Sequence, residues 1–187
     1  MVPDPEQEPE AAELDPEAAK LVALLGLAPH PEGGWFRETW RSPLALGGLP
    51  HGAPRSASTA IYFLLPAGTF SALHRVASDE AWHHYDGDPV ELHVLEGRVH
   101  QTFVLGRDLA RGQRPQHVVP AGAWQAAVPL GPRWALCGCT VAPGFDFADF
   151  EMPSREEMLR LLPDHAAVVE RLTRVSAGEV EPPPDRR

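Results

Sequence analysis

The feature that most limits the fold of this chain is a series of short β-like runs between residues 39 and 142. Glycine, proline and aspartate separate these runs, which cover residues 59–65, 69–76, 81–85, 90–95, 98–105, 117–120, 123–128 and 133–141. Short strands joined by close turns are typical of antiparallel sandwiches and barrels, whereas βαβ folds alternate strands with helices. The sequence therefore predicts an all-β domain.

Helices are predicted on either side of this β region. Asp15 is a good N-cap, Pro16 suits the first helical position and Gly26 suits the left-handed position after the end, so a helix should span residues 15–26. Ser154 and Glu157 form a capping box at the start of a second helical segment. We expect a short N-terminal helix and C-terminal helices.

Length and charge restrict the domain organisation and the partners. A chain of 187 residues suits one domain with one core. Its 16 basic and 26 acidic residues give a formal net charge of −10, which disfavours binding to nucleic acid or to anionic membranes. Residues 1–14 are acidic and proline-rich, and residues 176–187 are similar, so both are predicted to be disordered. Residues 15–175 remain as the folded domain.

The sequence also bears on the compartment. No long apolar run is present, and no basic segment precedes an apolar one, so neither a membrane span nor a secretory signal is predicted. Cys137 and Cys139 fall on one side of a predicted strand, which is a poor geometry for a disulfide. We interpret them as buried small side chains of a protein in the reducing cytoplasm.

One hairpin can be placed on the sequence. Glu96-Gly97 is predicted as a two-residue turn, which sets His93 opposite His100. Val90, Leu92, Val94, Val99 and Phe103 then form an apolar face, and Glu91, His93, Arg98, His100 and Thr102 form a polar one. We interpret the polar face as solvated, because half-buried strands usually alternate in this way. The alternative is a metal site around the two histidines.

His74 and Glu80 are the residues that most resemble a functional pair. Alternation puts His74 on the same face as Phe70, Ala72 and Val76, and this apolar company predicts that the face points inward. Glu80 shares a second inward face with Trp82 and His84. A buried glutamate is costly unless it is paired, hydrogen-bonded or bound to a metal. A pocket therefore explains His74 and Glu80 better than packing does.

The spacing of these residues resembles the first signature of the cupin β-barrels, His-x-His-x(3–4)-Glu-x6-Gly. His74, Glu80 and Gly87 match it, but Val76 stands in place of the second histidine. In cupins the histidines and the glutamate of this signature normally hold a metal ion inside the barrel. The resemblance thus implies the barrel, with one usual metal ligand missing.

A second cupin signature, Gly-x(5–7)-Pro-x-Gly-x-x-His-x(3)-Asn, follows at a suitable separation. Gly112, Pro120 and Gly122 match it, and Gln125 replaces its histidine. An amide oxygen is a poorer ligand than imidazole for zinc, iron or nickel. The metal set implied by the resemblance is therefore reduced to His74, Glu80 and Gln125.

Longer runs resemble the small cupin family known as domain of unknown function 985. They are residues 30–39, 58–65, 73–75, 79–83, 87–89, 118–122 and 141–151, within a resemblance that covers residues 20–163. The resemblance implies a cupin jelly-roll β-barrel and a homodimer. The family is also similar to sugar-nucleotide 3,5-epimerases, in which a histidine in a Leu-His context acts as a general base without metal, and Leu73-His74 matches that context.

Three functions remain open from the sequence. In the first, an epimerase-, isomerase- or lyase-like enzyme acts on a small polar or sugar-like molecule by proton transfer, with His74 and Glu80 as catalytic residues. In the second, His74 and Glu80 bind a divalent metal ion, and Gln125 or His84 completes the ligand set. In the third, the barrel binds a small molecule without catalysis. The residues predicted to contact the small molecule are Gln125, His84, Trp82, Trp124, Arg37 and Phe145.

Overall fold

Two antiparallel sheets face each other and enclose the core of the domain. The structure, a computed structural model, describes residues 14–174, so the predicted N-terminal arm and C-terminal tail lie outside the described residues apart from Leu14. The larger sheet has the strand order β1-β2-β5-β12-β7-β10, and the smaller one has the order β13-β6-β11-β8-β9. A two-stranded ribbon, β3-β4, lies beside them.

The secondary structure elements follow one another with short connections. The helices are α1 (Pro16–Leu25), α2 (Arg155–Leu161) and α3 (Ala166–Leu172). The strands are β1 (Ala28–Pro29), β2 (Trp35–Arg41), β3 (Ala45–Leu46), β4 (Arg55–Ser56), β5 (Thr59–Leu65), β6 (Ser71–Val76), β7 (Asp79–Gly87), β8 (Val90–Glu96), β9 (Val99–Leu105), β10 (Gln116–Val119), β11 (Trp124–Pro129), β12 (Ala135–Ala142) and β13 (Phe150–Glu151).

The helix ends agree with the capping residues in the sequence. The Asp15 side chain accepts hydrogen bonds from the backbone N–H groups of Glu17 and Ala18, and Gly26 ends α1 with a φ of 62°. Ser154 and Glu157 form the predicted capping box of α2. No helix within residues 14–174 is both long and apolar enough to cross a membrane.

All eight predicted strands are present as β5 to β12, with ends that differ by a few residues. The sequence analysis missed β2. Trp35 is its one buried residue, and the other six are half-buried or exposed. A strand of this kind carries little alternation between apolar and polar residues, which is the signal that reveals strands in a sequence.

The predicted register of the β8–β9 hairpin was wrong. His93 pairs with Thr102 and Leu95 with His100, so the two-residue loop consists of Gly97 and Arg98. Gly97, the first residue of this loop, has a φ of 57°. Two-residue hairpin loops favour type I′ and II′ turns, and both of these turns need a positive φ at that residue. The shift moves each partner by two positions, so the predicted apolar and polar faces are retained.

The polar face of this hairpin is not solvated at His93, which is 3% exposed. Helices α2 and α3 cover the smaller sheet, and the Arg171 side chain of α3 donates a hydrogen bond to Glu91 Oε1 (2.9 Å). The interpretation of a fully solvated face was therefore wrong. Within residues 14–174 no group of three or more His, Cys, Asp or Glu side chains is arranged to hold a metal ion.

Apolar side chains form separate clusters inside and outside the barrel. The inner cluster includes Phe63, Leu65, Trp82, Leu92 and Cys137, all of which are at most 1% exposed. An outer cluster packs the smaller sheet against α2 and α3, and another packs α1 against the larger sheet. The inner cluster leaves one end of the barrel unfilled, and the candidate site lies there.

Candidate functional site

A cavity of about 1090 Å³ occupies this end of the barrel. Its buried ionisable side chains come from the loop before β2 and from strands β6, β7 and β12, and they are His30, Glu32, His74, Glu80 and Cys139. Aromatic rings from β2 and from the segment before α2 form part of its wall, namely Phe36, Phe145, Phe147 and Phe150. Residues near the C-terminal end of α1 also line it.

His74 points into the barrel from β6 and is 2% exposed. Its Nδ1 lies 2.7 Å from the carbonyl oxygen of Ala72. A carbonyl oxygen only accepts hydrogen bonds, so Nδ1 carries a hydrogen. In the neutral ring Nε2 then has a lone pair, and it faces Glu32 Oε2 at 3.4 Å.

Glu32 reaches His74 from the loop between β1 and β2. The hydroxyl group of Ser71 donates to Glu32 Oε1 (2.8 Å), and the backbone N–H of Ala72 donates to the Glu32 carbonyl oxygen (2.7 Å). Gly34 allows this loop to approach β5, because a Cβ there would lie 2.7 Å from the carbonyl oxygen of Leu64. These contacts hold the carboxyl group against β6.

His30 is the second imidazole beside the same carboxyl group. Its Nδ1 lies 3.3 Å from Glu32 Oε2 and accepts a hydrogen bond from the backbone N–H of Glu32 (3.4 Å). Its ring also contacts Phe36 edge to face and is 7% exposed. Glu32 Oε2 thus lies close to nitrogens of two imidazoles; the lone pair of His30 Nδ1 accepts the backbone N–H of Glu32, and that of His74 Nε2 faces the carboxyl group.

Glu80 is held by a second set of hydrogen bonds. The indole N–H of Trp82 donates to Gln125 Oε1 (2.9 Å), which fixes the orientation of the Gln125 amide. The amide nitrogen of Gln125 then donates to Glu80 Oε2. The thiol of Cys139 also hydrogen-bonds Glu80.

Burial moves these groups toward their uncharged forms. It raises the pKa of Glu32 to about 8, and the positive charge of Arg174 offsets only part of that effect. It lowers the pKa of His30 to about 3. Burial likewise lowers the pKa of His74 and raises the pKa of Glu80, although these two residues oppose each other's displacement. The inner part of the cavity is therefore a set of neutral donors and acceptors.

The segment that closes one side of the cavity is tied to the rest of the barrel by two arginines. Arg41 donates to Glu38 and also to the carbonyl oxygen of Phe145 (3.1 Å). Arg55, which is 8% exposed, binds Asp149 through Nε (2.6 Å) and Nη2 (2.8 Å). These contacts fix the Phe145–Phe150 aromatic wall.

The structure brings together only part of the predicted site. His74, Glu80, Arg37 and Phe145 line the cavity. Trp82 and Gln125 are fully buried behind Glu80 and do not line it. Trp124 lies on the opposite face of β11, beneath the C-terminal helices, because it precedes the inward-facing Gln125 by one residue.

His84 faces inward but lies outside this cavity. It is two residues further along β7 than Trp82, and its Nε2 donates to the carbonyl oxygen of Asp88 (2.9 Å). Its Nδ1 is buried without a hydrogen-bond partner.

The residues at the cavity do not fit a metal ion. Gln125 was predicted as a ligand, but its oxygen accepts the N–H of Trp82 and its nitrogen cannot act as a ligand. Val76 lines the cavity where the resemblance would place a histidine. His74 and Glu80 alone are too few for a transition-metal site, and within residues 14–174 no group of three or more His, Cys, Asp or Glu side chains, including His30 and Glu32, is arranged to hold a metal ion.

Comparison with known families agrees with the barrel and its two sheets. Residues 19–153 match the family described as cupin superfamily (DUF985). The chain belongs to this cupin family. The predicted jelly-roll barrel of a DUF985 cupin is thereby confirmed.

Relatives of this cupin occur in bacteria and eukaryotes. The uncharacterized protein YML079W of Saccharomyces cerevisiae is 32% identical over 168 residues, which are 79% of this chain and 82% of the yeast protein. The solved structure of protein SO0799 from Shewanella oneidensis is 37% identical, with a TM-score of 0.77 over 84% of this chain and 97% of that one. A hypothetical protein from Leishmania major is 33% identical, with a TM-score of 0.78 over 83% and 97%.

The sequence analysis missed Glu32 as a member of the site of this cupin. Glu32 lies in the run of residues 30–39, which served only for the resemblance to the family. A signal was present, because Glu32 is followed by two glycines and preceded at two residues by His30. Glycines after an acidic residue indicate a loop that approaches another segment closely.

Proposed function

We propose that this cupin is an enzyme that moves a proton to or from a small polar or sugar-like substrate bound in the cavity. His74 is the acid–base residue in contact with substrate, and Glu32 is the carboxyl group with which it exchanges a proton. Glu80 is a second carboxyl group, whose burial raises its pKa and favours the protonated form, and it hydrogen-bonds the substrate. The substrate is one whose reacting part is uncharged.

The observation that carries this proposal is the arrangement of His74, Glu32 and His30. The carboxylic proton of Glu32 can bond to the nitrogen of either imidazole, at 3.4 Å or 3.3 Å. When this proton points away from His74, the Nε2 lone pair of His74 is unshared and can accept a proton from a substrate, whereas His30 Nδ1 accepts the backbone N–H of Glu32. A proton can then be returned from Glu32 without rotation of a side chain.

Burial argues for chemistry more than for packing or passive binding. Glu32, His74 and Glu80 are each less than 9% exposed. Burying polar groups of this kind costs free energy even when they are hydrogen-bonded, so a barrel that needed only stability would fill these positions with apolar side chains. Burial raises the pKa of Glu32 to about 8, close to the working pH, which suits a group that transfers protons near pH 7.

Gln125 and Trp82 have positioning roles in this proposal. Their hydrogen bonds hold Glu80 at Oε2, which leaves Oε1 to carry the proton. An acid held in this way in an apolar site can stabilise negative charge that develops on a substrate oxygen. The sequence-based expectation that Gln125 binds substrate directly is replaced by this indirect role.

Exchange of carbon-bound hydrogen tests the proposal. Small aldoses, ketoses and hydroxy acids are incubated with the protein in D2O, and incorporation of deuterium is followed by NMR. We expect His74→Asn to lower the exchange rate by about 10² or more, as for loss of a general base, and Glu32→Gln to lower it as well. His83→Gln, on the outer face of the adjacent part of β7, is the matched control and keeps the wild-type rate.

Two outcomes contradict the proposal. One is exchange at the wild-type rate in His74→Asn. The other is the absence of exchange for all substrates tested while some of them raise the melting temperature of the wild type, which indicates a barrel that binds without catalysis.

A further inference from the structure

We propose that the ligand of this cavity carries an anionic group, either a carboxylate or a phosphate, and that Arg37 binds it. The opposite end of the ligand is an uncharged hydroxyl or carbonyl group that lies against Glu32 and His74. This inference rests on the proposed acid–base function, which requires the uncharged end to lie in the inner part of the cavity.

Arg37 lines the cavity from β2, near the C-terminal end of α1. Its guanidinium carbon lies 5.7 Å from the centre of the Tyr62 ring. Gly26 lies beside it, since a Cβ on that glycine would be 3.5 Å from Arg37 Nη1. These neighbours restrain the guanidinium group without using its N–H donors.

The N–H donors of Arg37 have no partner in the described part of the chain. Between residues 14 and 174, no ion pair or hydrogen bond of the structure involves its side chain. A guanidinium group presents five donors in a planar fork that matches carboxylate and phosphate oxygens. Arg37 is thus an exposed cation at the mouth of the cavity, beside Tyr62 of the cluster that packs α1 against the larger sheet, with its donors available within the described residues.

The other charged groups at the wall are already engaged. Arg41 and Glu38 neutralise each other at 2.6 Å, and the remaining donors of Arg41 bind the carbonyl oxygen of Phe145. Asp146 accepts a hydrogen bond from the backbone N–H of Ala148 (2.9 Å) at the start of the helical turn there. Arg37 is left as the group able to take an anion.

The inner end of the cavity disfavours charge. Glu32, His74 and Glu80 are buried together with the thiol of Cys139, and their side chains hydrogen-bond the neutral groups of Ser71, Ala72 and Gln125. An ionic group placed among them would lose its hydration, and Arg174, which binds the Glu32 carbonyl oxygen, is the charged neighbour there. The two ends of the cavity therefore select a ligand with its charge at one end only.

Matched probes test the inference without any need for turnover. Dihydroxyacetone phosphate is compared with dihydroxyacetone and with inorganic phosphate, and levulinate is compared with 2-pentanone. Binding is measured from the shift of the melting temperature at increasing probe concentration. We expect one of the two anionic ketones to bind at least about tenfold more tightly than its uncharged partner, since a hydrogen bond to a charged group is worth about 1.5–3 kcal/mol. Which of them binds distinguishes phosphate from carboxylate.

Variants locate the anion. Arg37→Met should remove the advantage of the anionic probe, and Arg37→Lys should keep part of it. Arg114→Met is the control, because Arg114 is exposed and lies outside the cavity. Equal binding of charged and uncharged probes, or an anionic advantage that survives in Arg37→Met, would overturn the inference.

The failure of this inference can be told apart from the failure of the proposed function. Deuterium exchange that depends on His74 but not on Arg37 contradicts the role of Arg37 and leaves the acid–base function in place. Binding of an anionic probe through Arg37, without exchange in any substrate, contradicts the acid–base function and leaves the role of Arg37 in place.

Discussion

At the scale of single residues, the central feature is a buried carboxyl group beside two imidazoles at the inner end of the cavity. Glu32 Oε2 lies within 3.4 Å of nitrogens in both His30 and His74. Burial keeps all three groups neutral, and the hydrogen bonds of Ser71 and Ala72 hold the pair in place. The geometry thus stores a proton next to a base.

The buried carboxyl group should make stability depend on pH. Burial raises the pKa of Glu32 from 4.5 to about 8, so the unfolded chain releases this proton at a lower pH than the folded one. The contribution of Glu32 to stability is fully present below pH 4.5 and is lost as pH rises through about 8. The displacement corresponds to roughly 5 kcal/mol, since each tenfold change in proton affinity is worth about 1.4 kcal/mol.

Urea unfolding at several pH values measures this effect. Glu32→Gln keeps a neutral side chain of the same shape, so its loss of stability between pH 5 and pH 8 should be smaller than that of the wild type by several kcal/mol. Glu156→Gln, with an exposed side chain on α2, is the control and should follow the wild type. Equal slopes for wild type and Glu32→Gln would count against a buried neutral carboxyl group.

The departures from the metal-binding cupin pattern should be reversible. Val76 lines the cavity, and Gln125 is the partner of His74 in the β6–β11 pairing. The double variant Val76→His/Gln125→His restores the implied ligand set with His74 and Glu80. We expect it to retain about one Zn²⁺ or Mn²⁺ per chain after dialysis, and the wild type less than about one-tenth, because a working site stays occupied. Stoichiometric metal in the wild type would contradict this account.

At the scale of elements, α3 is attached to the smaller sheet through histidines. His93 Nε2 lies 2.9 Å from Glu91 Oε1, and His93 Nδ1 hydrogen-bonds His100 Nε2 (3.0 Å). Arg171 of α3 contacts both Glu91 and His93, and the ring of His165 lies edge-on to His100. A second proton on the histidine pair would place a cation beside Arg171.

Acid should therefore loosen α3. Burial is the main cause that lowers the pKa of His93 and of His100, so the state with α3 packed on the sheet favours neutral rings. The stability that these neutral rings contribute is therefore lost as pH falls below the ordinary pKa of 6.5. Hydrogen exchange at pH 7 and pH 5, corrected for the intrinsic rate, should show lower protection of α3 amides at pH 5. The double variant His93→Gln/His100→Gln should show a weaker dependence. Loss of protection to the same extent in both proteins would argue against the pair.

The elements also show what sequence alone could and could not predict. Alternation was enough to turn His74 and Glu80 inward, because each lies on a strand with clear apolar neighbours. It could not place Glu32, which lies outside any strand and reaches His74 only through tertiary contacts. The hairpin register failed for a related reason, since Gly97 fits more than one position of a two-residue turn and the strands on either side allow both.

At the scale of the whole molecule, the outer face of the larger sheet is covered by α1 only at one end. Trp40, Ala60, Thr140, Ala81 and Val118 lie in one row across β2, β5, β12, β7 and β10. Trp40 is 51% exposed and Val118 is 47% exposed. We propose that the homodimer implied by the resemblance forms through this face, because exposed apolar rows on sheets commonly mark association surfaces.

Light scattering after gel filtration tests the dimer. The wild type should have about twice the chain mass of 20.4 kDa. Val118→Glu should shift the mass toward that of one chain, whereas Leu109→Glu, at an exposed position away from the row, should not. A monomeric wild type, or a Val118→Glu variant that stays dimeric, would show that this face is not the interface.

The protonation state of Glu32 at neutral pH tests the central claim most directly, because every role proposed for the cavity requires a neutral carboxylic acid beside a neutral His74. Carbon-13 NMR of protein labelled at glutamate side-chain carboxyls follows this titration, and comparison with Glu32→Gln identifies the signal. We predict a midpoint near pH 8, so that the group is still protonated at pH 7. A Glu32 signal that titrates near its ordinary value of 4.5 would contradict the account.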